Sequence, residues 1–81
     1  MTIKEKERQR VAFVNGVVAV AAAHGVSKGR LKNECFGSYA TGNRRLEHHQ
    51  EEITLVELFN IAAICRIPPR ELICSAAANM K

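Results

Sequence analysis

Five cations crowd into residues 28–45 of this 81-residue chain: Lys28, Arg30 and Lys32 at alternate positions, then Arg44 and Arg45. Side chains of this kind neutralise phosphates or carboxylates. Between Val26 and Leu46 they are opposed by one acid, Glu34, so this stretch carries +4, the formal charge of the whole chain. Elsewhere seven basic and seven acidic residues cancel. Among the cations stand Ser27, Ser38, Tyr39, Thr41 and Asn43, all able to hydrogen-bond. Arg45, His49 and Gln50 follow. The chemistry to expect is recognition of a polyanion, and the charge alone does not say which one.

Other chemistries find little to work with. The chain has no aspartate, no Ser-His-acid or Cys-His arrangement and no glycine-rich phosphate loop. His48 and His49 are adjacent, so on a helix they diverge by about 100° and do not share a ligand. Cys35, Cys65 and Cys74 are an odd set without metal-binding spacing. No enzyme activity, catalytic residue, metal or cofactor is therefore expected. Three reduced thiols fit a cytoplasmic protein, two of them packed as small apolar groups. The charged start and the apolar run Val11–Ala23 also outline a signal peptide. Glu5, Glu7 and Asn15 argue against it, and the run is too short to span a membrane.

The elements that would position the cations are helical. Hydrophobic content of 47% favours a folded domain over disorder. At this length one domain is expected, with no room for a separate effector domain. Residues 3–24 read as a first helix with Val11, Val14, Val18, Ala21 and Ala22 on one face, stopped by Gly25. Residues 1–10 are its solvated first portion. Ser27 caps a second helix through Leu31 and Cys35, with Lys28, Arg30 and Lys32 on its outer surface. Phe36-Gly37 makes the next break. Ser38 caps a third helix over residues 39–48, with Leu46 inward and Tyr39 to Arg45 mostly outward. Thr54 and Glu57 form a capping box for a fourth helix, with Leu55, Leu58, Phe59, Ala62 and Cys65 inward. Pro68-Pro69 stops it, and Pro69 opens a fifth helix over residues 70–76. The domain spans residues 11–76, and residues 77–81 read as a frayed tail. The fold class is all-α, five helices with brief connections.

Residues 46–73, LEHHQEEITLVELFNIAAICRIPPRELI, resemble the second half of the lambda-repressor-like, Cro-type helix-turn-helix family. Leu46-Glu47, Thr54, Leu55, Leu58, Ala62 and Ile67-Pro68-Pro69-Arg70-Glu71-Leu72-Ile73 fall in register with its pattern. Gly25-Val26-Ser27 and Leu31 fit the start of the motif. The family usually has glutamine after the cap, where this chain has Lys28. It has alanine after the helix-two leucine, where this chain has Lys32, and a glycine such as Gly42 inside the recognition helix is unusual.

The resemblance implies a five-helix lambda-repressor-like domain that binds DNA as a homodimer. It implies a regulator, by default a repressor, of phage, mobile-element or bacterial promoters. Helix three would lie in the major groove with Ser38, Tyr39, Thr41, Asn43 and Arg44, where Asn43 suits adenine and Arg44 suits guanine because each can make two hydrogen bonds to that base. Ser27 and Lys28 would hold phosphates, and Arg45, His49 and Gln50 would reach the flanking backbone. Glu47 reads as support for the end of helix three. Ile61, Ile64 and Cys74 are surplus apolar surface and candidates for the dimer interface. A different class of function is also open. The departures at Lys32 and Gly42 fit a protein-binding module, antiactivator or antitoxin-like, that uses a worn motif to hold another regulator or a toxin.

Overall fold

The computed structural model describes residues 2–80. Among them are five helices and no strand: α1 (Ile3–Ala23), α2 (Lys28–Glu34), α3 (Tyr39–Leu46), α4 (Leu55–Cys65) and α5 (Pro69–Ala78). Four of the five starts carry a hydroxyl cap. Thr2, Ser27, Ser38 and Thr54 each accept a hydrogen bond from the backbone N–H three residues on. Each cap satisfies one donor that a helix start otherwise leaves unpaired. At α4 the box is complete, because the Glu57 carboxylate accepts from the Thr54 N–H at 2.8 Å.

The ends are equally local in origin. Gly25 takes φ +79° after α1, and the Val26 N–H returns to the Ala21 carbonyl at 2.9 Å. This glycine-closed end turns Val26 into the core, where it is 3% exposed. The prolines are not what ends α4. Arg66 does so in the left-handed region at φ 60°, with the Ile67 N–H bonded to the Ala62 carbonyl. α5 runs two residues beyond the expected end, and Ala77 and Ala78 are helical.

The core gathers Val14, Val17, Val20 and Ala21 of α1, Leu31 and Cys35, Phe36, Leu46, then Leu58, Ile61, Ala62 and Cys65 of α4 and Leu72 and Ala76 of α5. The buried stripe of α1 is therefore turned from the expected one. Val11 and Val18 are half-buried and Ala22 is exposed. α1 and α5 pack closely because Gly16 has no side chain, and a methyl there would run into the Ala76 carbonyl. On α4 the expected inner face is split. Leu58, Ala62 and Cys65 point in, but Leu55 and Phe59 are 59% and 46% exposed. Ile61 is fully buried, which removes it from any dimer interface. Ile64 is half-buried against the core, and only Cys74 of that set is exposed. No single described helix is both long and apolar enough to cross a membrane.

Candidate nucleic-acid interface

α2 and α3 are joined by a link of four residues, Cys35–Ser38, with Gly37 at φ +77° in the turn. They meet where Gly42 faces Lys32. A β-carbon built on Gly42 would stand 2.7 Å from the Lys32 Cα and 2.8 Å from its Cβ. Close approach of two helix backbones needs a small residue on one of them, and here it is on α3. Two of the three departures from the resembled pattern, Lys32 and Gly42, are thus in contact with each other. A lysine on α2 is admitted because a glycine on α3 makes room for it.

Lys32 is consequently not on the outer surface. It is 7% exposed, its Nζ donates to Glu47 Oε1 at 2.7 Å, and it lies 5.5 Å from the centre of the Tyr39 ring. A buried ammonium needs such partners, here a carboxylate and an aromatic face. Glu47 also holds Lys28 at 3.3 Å. The Lys32 and Lys28 hydrogen bonds hold the Glu47 carboxyl below its usual range. Glu47 thereby clamps the start of α2 to the end of α3, in keeping with the supporting role read from sequence.

Arg45 is the second correction. It is 8% exposed, and its Nε donates to Glu57 Oε1 at 3.1 Å. The same oxygen accepts from Thr54, so one carboxylate caps α4 and fixes α3 to it. Arg45 Nη1 lies 3.2 Å from Glu51 Oε2 without a hydrogen-bond partner. This side chain is built into the fold and does not reach outward.

The remaining predicted residues do reach outward, wholly or in part. Ser27, Arg30, Ser38, Tyr39 and Gln50 are exposed, and Lys28, Thr41, Asn43, Arg44 and His49 are half-buried. Ser38, Thr41 and Arg44 make one polar ridge along α3. The Ser38 hydroxyl donates to Thr41 Oγ1 at 3.0 Å, and Arg44 Nη2 donates to the same oxygen at 3.3 Å. His49 is more constrained than its place in a polar loop suggests. Its backbone is left-handed at φ 52°, its carbonyl accepts from Arg10 Nη1 at 3.1 Å, and its Nδ1 is buried.

The positive charge is less free than the sequence implies. Each of the five cations has a carboxylate partner: Glu34 for Arg30, Glu47 for Lys28 and Lys32, Glu51 for Arg44, and Glu51 with Glu57 for Arg45. Three of those acids, Glu47, Glu51 and Glu57, follow the basic stretch and are folded back onto it. The pairs differ in kind. Those of Lys28, Arg30 and Arg44 join side chains that are 39–52% exposed. Exposed ion pairs are worth about 0–1 kcal/mol, so these three cations can exchange a carboxylate for a phosphate at small cost. Lys32 and Arg45 are themselves buried at 7% and 8% exposure and cannot. Among the described residues no three His, Cys or Glu side chains converge as a metal site would require.

Comparison with known proteins gives no matching family model, no matching curated protein and no matching solved structure. The chemistry of this surface has to be read from its own geometry.

Proposed function

We propose that this chain is a lambda-repressor-like, Cro-type DNA-binding regulator that reads the major groove with α3 and acts by occupying promoter DNA. The observation that carries the reading is the locked α2–α3 pair with its outward polar ridge. Ser38, Thr41 and Arg44 line one edge of α3, and Tyr39 and Asn43 flank it. Lys28 and Arg30 on α2 supply exchangeable cations beside it. Phosphate contacts position such a unit on a duplex, and the α3 side chains supply discrimination between bases. Lys32 and Arg45 act indirectly, by holding α3 against α2 and α4. The promoter would belong to a phage, a mobile element or a bacterium, and the working form would be a homodimer.

The protein-binding alternative gains from two observations. The cations are largely matched by carboxylates, and Leu55, Val56 and Phe59 form an uncovered apolar face on α4. On that reading a regulator or toxin would be the partner.

Titration of the protein against its own upstream promoter duplex separates the two. Groove reading predicts a shift with steep salt dependence. Arg44→Ala should flatten the preference among sequences by about 1–3 kcal/mol at one base pair. Lys28→Ala should weaken binding to all sequences alike and lower the salt slope by about two for a dimer. A folded protein that ignores the duplex at low salt, yet holds another protein, would favour the alternative.

A further inference from the structure

α4 leaves an apolar face in water. Leu55, Val56 and Phe59 are 59%, 66% and 46% exposed, and Ala63 beyond them is exposed as well. At about 100° per residue these four side chains share an arc of about 100°. They form one stripe, distinct from the buried Leu58, Ile61, Ala62 and Cys65.

The ends of the stripe carry opposite charge. Glu52 precedes the helix with its side chain 79% exposed, held only by Arg10 at 3.9 Å. Arg66 follows the helix, exposed, with no carboxylate partner among the described residues. An apolar stripe preceded in the chain by an exposed acid and followed by an exposed cation complements an antiparallel copy of itself.

We propose that this α4 face is the contact between two copies of the chain, crossed antiparallel with Phe59 against Phe59 at the two-fold axis. Ala63 of each copy then opposes Leu55 of the other, and Arg66 opposes Glu52. A two-fold contact is self-complementary by necessity, and both the apolar centre and the charged ends meet that condition. The stripe is short against the roughly 800 Å² per partner of a standard stable interface, so the dimer is reversible and concentration-dependent. The contact replaces Ile61 and Ile64, which the fold uses internally. It deepens the homodimer part of the proposed function and rests on it.

Sedimentation equilibrium of the full chain from about 1 µM to several hundred micromolar tests it, with helicity checked by circular dichroism. The wild type should pass from monomer to dimer. Phe59→Glu should be monomeric throughout while keeping its helicity, since the side chain it replaces is already half in water. Arg66→Glu should weaken association tenfold or more, and Glu52→Arg combined with Arg66→Glu should restore it. A wild type that stays monomeric would overturn the proposal and give the face to a different protein. A dimer indifferent to Phe59→Glu would place the interface elsewhere. Failure of the charge exchange to rescue would overturn the antiparallel register. The readout is mass, so none of these outcomes decides whether α3 reads DNA.

Discussion

Cys35 and Cys65 are buried and Cys74 is exposed, and this difference has a chemical consequence. Burial, with smaller contributions from Cys65 and Glu34, pushes the Cys35 thiol up from 9.0 to about 11, against the opposing pull of Arg30. Burial raises Cys65 as well. Thiols held protonated are poor nucleophiles, so an alkylating reagent at neutral pH should modify Cys74 alone in the native protein and all three residues once it is unfolded. Mass spectrometry of the adducts reads this directly. The same shift has a sign in stability. The folded state keeps the Cys35 proton where the unfolded chain, titrating near 9.0, has lost it. The contribution is therefore intact below about pH 9 and is lost as pH rises toward about 11. Urea midpoints should fall across that window, and Cys35→Val should flatten the fall.

The contact between α2 and α3 turns on Gly42. A helix interior normally gains up to about 1 kcal/mol when glycine becomes alanine. At Gly42 the new methyl would press on Lys32 backbone and side chain at 2.7–2.8 Å. Gly42→Ala is therefore expected to lose about 1–3 kcal/mol. Gly29→Ala, with nothing within 4 Å, should gain up to about 1 kcal/mol. Urea denaturation of the two variants beside the wild type measures the contrast. Much of this level was legible beforehand. The hydroxyl caps, the Glu57 box, Gly25 and Gly37 are signals between neighbours in sequence, and they marked the helix starts and turns. The face each helix buries was harder to read. α4 is apolar on nearly every side, so its spacing admits Leu55 and Phe59 beside Leu58, Ala62 and Cys65 as inner residues, where the fold buries Ile61 instead. Lys32 and Arg45 look outward from sequence because their partners, Glu47 and Glu57, are 15 and 12 residues away. Lys32 and Gly42 both stood out as irregularities, but only the packed helices show that each accounts for the other.

Across the described residues, five helices bury one core and leave two surfaces facing solvent: the polar ridge of α3 with its exchangeable cations, and the apolar stripe of α4. The charge concentration seen in the sequence survives folding only in part. Lys28, Arg30 and Arg44 remain available, whereas Lys32 and Arg45 have become structural. A dimer that offers Lys28 and Arg30 twice would neutralise about four phosphates through them, so log affinity should fall with log salt at a slope of at least about −3.6. The central claim is that α3 reads base sequence, and selection from a pool of random duplexes by the purified full chain tests it most directly. The predicted result is enrichment of a two-fold symmetric sequence with half-sites about 10 bp apart, lost for Arg44→Ala at one position of each half-site. A folded protein that enriches no sequence over the starting pool, even at low salt, would contradict it.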